Sequence, residues 1–192
     1  MPSRALRAWQ TRSRKVLDEI EAAHAVVGGA RRARAFARQQ INQAYVVVLA
    51  SHFQKFCRDL HSNCADALIH PPALAAVQGV LRASLLPGRR LDSGNANPHN
   101  IAKDFGRFDL DLWSAVGTRD PRSAARRQKL EAMNRWRNAI AHQDFRSPAF
   151  QGGESLRLAE VRSWRRACDC LAVDFDAELG IYLTGVCGQA PW

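Results

Sequence analysis

Long apolar runs, strand patterns and lysine are what this 192-residue sequence has least of. The longest apolar run, "AYVVVLA" at 44–50, falls far short of the ~20 residues that a helix needs to span a bilayer, so no membrane segment is expected. The opening stretch "MPSRALRAWQTRSRKVLDEIEAAHAVVGG" scatters its charges and has no continuous apolar centre, which argues against a secretory leader. Cysteine is sparse and odd in number: Cys57, Cys64, Cys168, Cys170 and Cys187. That count points to reduced thiols rather than a disulfide framework, and so to a cytoplasmic protein. Alternating strand patterns are nearly absent. The β-branched "YVVVL" lies in a stretch free of Gly and Pro, where helical spacing accounts for it better. There is no internal repeat and no low-complexity tail.

Only four of the 28 basic residues are lysine, and the net charge is +10. Codon usage in a GC-rich genome accounts for arginine in place of lysine. It does not account for the surplus of basic over acidic residues, which points to an anionic partner such as a phosphate backbone. With 46% hydrophobic residues the chain has enough apolar surface for a core. One domain over 1–192 is expected, with 1–29 read as a helix partly detached from it.

The fold class read from the pattern is all-α, a bundle of about five helices. Leu6, Trp9, Val16, Ile20, Ala23 and Val27 recur at helical steps, with Ser13 as the one polar interruption, and Gly28 and Gly29 end or hinge this helix. A long helix should run from about Arg31 to Ile69 and stop before Pro71 and Pro72. A shorter helix covers "ALAAVQGVLRASLL", and "PGRRLDSGNANP" reads as an exposed loop. Asn97 and Pro98 suit an N-cap and first helical position. Beyond Pro121 a helix should reach about His142, "RSPAFQGGES" breaks the pattern, and a last helix spans about Leu158 to Leu183.

The segment "MNRWRNAIAHQDF" carries the chemistry. At about 100° per residue, Leu130, Met133 and Ile140 define a buried face. Asn138 and His142 form an i, i+4 pair on the other side, and Arg137 sits at the apolar boundary where its stem packs and its head emerges. His142 falls at the helix C-terminus, where the dipole favours a cation. An imidazole, an amide and a fixed positive charge suit phosphodiester transesterification. Cleaving RNA without a metal needs a base for the 2′-hydroxyl, an acid for the 5′-oxygen and cationic support for the phosphorane. One chain supplies one such histidine. Two chains meeting through this helix would supply two histidines and two arginines.

"RNAIAH" resembles the R-polar-x-x-x-H motif of the HEPN superfamily, all-α proteins that include many metal-independent endoribonucleases. Arg137, Asn138 and His142 match its Arg, the polar residue after it, and its His. "AYVVVLASHFQKFCRDLH", "NPHNIAKDFGRF" and the terminal "WRRACDCLA…PW" extend the likeness over most of the chain, toward the RiboL-PSP-HEPN subgroup. The resemblance implies a HEPN-type bundle, a homodimer with a composite cleft, a 2′,3′-cyclic phosphate product and no cofactor. Members are often encoded beside an antitoxin or second effector, and some have lost catalysis and serve as dimerisation or RNA-binding modules. The expectation is a toxin or defence effector.

Further basic residues are candidates for RNA contact. Arg31, Arg34 and Arg38 in "RRARAFAR" can share one helix side, Arg135 lies within the motif segment, and Lys103 and Arg107 belong to the "NPHNIAKDFGRF" segment. The plainer alternatives are a solvated helix face and a loop held by its own caps. Trp136 reads as core or dimer interface rather than a platform for a base. Cys57, His61 and Cys64 fall at i, i+4 and i+7 without a fourth ligand, so no metal site is expected. Cys168 and Cys170 diverge around a helix. A DNA-binding regulator ranks last, since no helix pair reads as a helix-turn-helix.

Overall fold

The long helix from the first half of the chain is the axis on which everything else packs. The structure, a computed structural model, describes residues 1–27, 32–146, 150 and 155–192. Among these residues it is all-helical, with no strand. The order is α1 (Arg4–Ala8), a π-turn (Trp9–Ser13), α2 (Arg14–Val26), α3 (Arg32–Ile69), α4 (Gln78–Leu85), α5 (Arg90–Ser93), α6 (Pro98–Phe105), α7 (Leu112–Arg119), α8 (Ser123–His142) and α9 (Leu158–Cys187). Two short 3₁₀ turns, Pro72–Val77 and Gly106–Phe108, join them.

Helix α3 stops where Pro71 and Pro72 remove backbone donors, as the sequence predicts. Its buried row of Leu49, Phe53, Phe56, Leu60 and Cys64 meets α1, α8 and α9. Helix α9 answers with Val161, Trp164, Cys168, Leu171, Phe175 and Leu179, three or four residues apart. Phe53 is the meeting point, with the rings of Trp9, Phe56 and Phe175 at 5.6, 5.8 and 6.4 Å. Burying side chains of this size contributes about 1.5–3 kcal/mol each. No helix among the described residues is long and apolar enough to cross a membrane.

The expectation of about five helices undercounts the middle of the chain. Between His70 and Asp120, prolines at 71, 72, 87 and 98 and glycines at 88, 94 and 106 cut the chain into short helices. The stretch "PGRRLDSGNANP", expected to be an exposed loop, is anchored instead. It folds into α5, Leu91 is fully buried, and the Asp104 carboxylate accepts from the backbone N–H groups of Arg90 and Leu91, both at 2.8 Å.

Over its described residues, 1–27, the N-terminal segment packs on the rest of the chain. Ala5, Leu6, Trp9 and Leu17 are buried in the common core. Trp9 Nε1 donates to Asp169 at 3.0 Å, and the Ser3 N–H donates to the Asp176 carboxylate at 3.2 Å. Arg165 on α9 reaches Asp18 at 2.6 Å and Glu21 at 3.1 Å, tying α2 down along its length. Gly28, Gly29 and the stretches 147–149 and 151–154 lie outside the described residues.

Candidate functional site at the end of helix α8

Helix α8 is set in place at its first turn by charge. Asp120, just before it, accepts from Arg122 at 3.0 Å and pairs with Arg126 at 2.9 Å; Arg126 continues to Asp174 on α9 at 2.7 Å. The Arg122 hydrogen bonds, with Arg126 close by, hold the Asp120 carboxyl well below the usual carboxylate range. Leu130, Met133 and Ala139 are buried, Ile140 is partly so, and Met133 meets Cys168 of α9, sulfur to sulfur at 3.8 Å. Trp136, expected in the core or at a dimer interface, is half-buried among Phe145, Phe150 and Trp164 and packs against the core.

At its far end the helix stops just after His142. Gln143 takes the left-handed conformation at φ 51°. Its N–H reaches the Ile140 carbonyl at 3.4 Å, and the Asp144 N–H reaches the Ala139 carbonyl at 3.0 Å. This is the pairing of a Schellman stop, with glutamine where glycine is the usual choice. Its strain is offset in part by the Gln143 side chain, which donates to Ile140 at 2.8 Å.

Arg137, Asn138 and His142 therefore stand together on the last turns of one helix, with Asn138 and His142 exposed and Arg137 half-exposed. Arg137 donates to Asn138 Oδ1 at 3.1 Å. A second donor reaches the same oxygen from another element: Asn95 Nδ2, also at 3.1 Å. Asn95 is oriented in turn by Asn97 Nδ2, which donates to Asn95 Oδ1 at 3.1 Å. Asn97 is the N-cap of α6, as its sequence predicts, accepting from the Asn100 N–H at 2.8 Å.

Gly94 makes this turn feasible. A Cβ there would stand 2.8 Å from Asn100 Nδ2, which donates to the Asn95 carbonyl at 2.8 Å. Two donors on Oδ1 fix the amide of Asn138, so its Nδ2 faces away from both and has no partner among the described residues. Neither imidazole nitrogen of His142 has one either.

Asn134 belongs to this site and was not visible in the sequence. It lies one turn before Asn138 on the same row of the helix, yet is 3% exposed because the 95–97 segment covers it. Its Nδ2 donates to the carbonyls of Ala96 at 3.1 Å and Leu130 at 2.9 Å. Both partners are acceptors, so the amide orientation is settled, and Oδ1 is left without a donor. The polar row is thus half covered rather than wholly open. Beside it lies a cleft of about 300 Å³ whose wall includes Asn95, His99, Glu131, Arg135 and Asn138. Arg127 closes one side with its guanidinium 5.1 Å from the Trp113 ring centre.

The other proposed RNA contacts divide. Arg135 is exposed on the cleft wall. Arg34 and Arg38 lie on the first turns of α3 and exposed Lys103 on α6, none of them on this cleft; Arg31 lies outside the described residues. The Arg107 guanidinium donates to the carbonyls of Leu85, Pro87 and Gly88 at 3.2, 2.8 and 2.7 Å, clamping the loop after α4. His61 is a core residue. Its Nε2 lies 3.1 Å from the Asp104 carbonyl, its ring packs on Phe105 and Phe108, and burial, with Arg89 nearby, pushes it down to about 4. Among the described residues no group of His, Cys, Asp or Glu is arranged to hold a metal ion.

The arrangement offers a phosphate an amide donor, a guanidinium and an imidazole from one helix end, with further cations on the adjoining wall. No family model matches this chain, and no curated protein or solved structure matches it either.

Proposed function

We propose that this chain is a metal-independent endoribonuclease of the HEPN type, its active site completed by a second copy, acting in the cytoplasm as a toxin or defence effector. The observation that carries the reading is the fixed amide of Asn138. Arg137 and Asn95 both donate to its Oδ1, which leaves its Nδ2 without a partner among the described residues on the same helix end as half-exposed Arg137 and exposed His142. A structural polar cluster on a helix end has no need of such bracing.

In the proposed reaction the 2′-oxygen attacks phosphorus as its proton passes to one His142. The P–O5′ bond breaks, and the 5′-oxygen takes a proton from the His142 of the second copy. The products are a 2′,3′-cyclic phosphate and a 5′-hydroxyl. Arg137 from each copy stabilises charge on the phosphorane, and Asn138 orients the phosphate. The cleft walled by Asn95, Glu131 and Arg135 would receive the adjoining nucleotide. A cognate antitoxin would act by covering this surface.

The test is cleavage of single-stranded RNA by the purified protein in EDTA, beside Arg137→Ala and His142→Ala. Cyclic-phosphate products that vanish in both variants are expected. Equal residual cleavage in all three would sink the assignment. Stable RNA binding without product, unchanged by His142→Ala, would favour a non-catalytic dimerisation or RNA-binding module instead.

A further inference from the structure

The π-turn in the N-terminal helix sets Ser13 against α3. Hydroxyls of Thr11, Ser62, Thr118 and Thr184 each donate to the carbonyl four residues earlier, at 2.7–3.1 Å. Ser13 ends the π-turn, where the Arg14 N–H reaches back five residues to the Trp9 carbonyl. Such one-residue insertions are frequent at functional sites. Ser13 is 8% exposed, and its Oγ lies 2.9 Å from His52 Nδ1 on α3.

No other partner for this hydroxyl occurs among the described residues. Burial and the charge of Lys55 lower the proton affinity of His52 below its ordinary value, keeping the ring neutral near pH 7. A neutral imidazole that accepts through Nδ1 carries its own proton on Nε2.

Both residues line the groove between the N-terminal helix and α3, a cleft of about 740 Å³. Its two carboxylates are already engaged, Asp59 by Lys55 at 2.6 Å and Asp66 by Arg82 at 2.7 Å. Arg4 and Arg12 on the same wall have neither an ion pair nor a hydrogen bond among the described residues. The groove therefore presents surplus donors around a buried Ser13 and a half-buried His52.

We propose that this groove, distinct from the α8 site, binds a phosphate group between Arg4 and Arg12, with His52 Nε2 as a neutral donor positioned by Ser13. The ligand class is a phosphate ester, either a free nucleotide or the backbone of a nucleic-acid strand. Guanidinium groups suit it because their planar forks match phosphate oxygens two at a time.

The experiment is calorimetric titration of the full chain with inorganic phosphate, then a nucleoside monophosphate, then a short oligodeoxynucleotide, which lacks the 2′-hydroxyl. Saturable binding is expected, weakened about tenfold in Arg4→Ala/Arg12→Ala and about threefold in Ser13→Ala. Circular dichroism checks that each variant folds, and Arg12→Glu gives a second exposed test if the double variant does not. Tightest binding of the monophosphate identifies a free nucleotide, and of the oligomer a strand. Absence of saturable binding at millimolar phosphate overturns the proposal. So does an equal loss in Arg166→Ala, an exposed cation on α9 outside this groove, because that would reduce the effect to net charge.

Discussion

Two polar networks in this molecule, each including arginine, use their hydrogen-bonding capacity in opposite ways. The first joins α2, α3 and α9. Glu21 accepts from Tyr45 at 2.6 Å and Arg162 at 2.7 Å, while Arg165 spans Glu21, Tyr45 and Asp18. Each of its charged groups meets an opposite charge, and the Arg165 side chain is 12% exposed. The second joins Asn97, Asn95, Asn138 and Arg137, and ends with a donor, Asn138 Nδ2, that has no partner among the described residues. A network that holds helices together exhausts its hydrogen-bonding capacity. One that awaits a ligand fixes its geometry and leaves capacity over.

Substitution breaks this contrast most sharply at the α8 end. Arg137→Ala and His142→Ala are each expected to cut RNA cleavage about 10²–10⁴-fold, with stability within about 0.5 kcal/mol of wild type. Cleavage rates and thermal melts on the same samples check both halves. Next in size, Arg165→Ala should cost about 2 kcal/mol of stability, read by urea unfolding, since it strips partners from half-buried Glu21 and buried Tyr45. If cleavage fell further than stability in that variant, the two networks would not be separate.

The same network predicts a dependence on acid. Burial alone would raise Glu21, but hydrogen bonds from Tyr45, Arg162 and Arg165 prevail and hold it below its ordinary value. Its contribution is present above the ordinary glutamate range and is lost as pH falls through the folded-state value. Melts from pH 6 to pH 3 should show Glu21→Gln losing less stability than wild type over that interval.

A smaller effect falls on Asn95, which acts through Asn138. Asn95→Ala should lower kcat about tenfold with KM little changed, as expected when an orienting group is lost. Asn95→Asp, which sets an acceptor against Asn138 Oδ1, should be no better; wild-type activity in it would break the positioning role. Smallest is Gln143→Gly, which relieves the left-handed strain after His142 and should add about 0.5–1 kcal/mol of stability without altering cleavage. A loss of cleavage there would mean that glutamine itself sets His142.

Local rules made much of this legible in the sequence. Pro71 and Pro72 end α3, Asn97 and Pro98 begin α6, and the helical period carries α8 to His142. Arg137, Asn138 and His142 were visible because a helix brings sequence neighbours together. What was not legible depends on partners far along the chain. Asp104 holds α5 and buries Leu91, the 95–97 segment covers Asn134, and Asn95 braces Asn138 across 43 residues. No spacing rule announces such pairs. Ser13 was visible only as an interruption in an apolar stripe, and His52, 39 residues away, supplied its meaning.

The docking of the first helix against the last sets an order of assembly. Ser3 bonds Asp176, Trp9 bonds Asp169 and Asp18 bonds Arg165, contacts separated by 147 to 173 residues. A chain emerging at about 5–20 residues per second must keep Leu6, Trp9 and Leu17 without their final cover for many seconds. Helix α8, with Arg137 and His142, is synthesised before the α9 surface that seats it. The His142 end of α8 therefore becomes rigid only after α9 has been made, so a nascent chain carries the motif well before it holds the geometry.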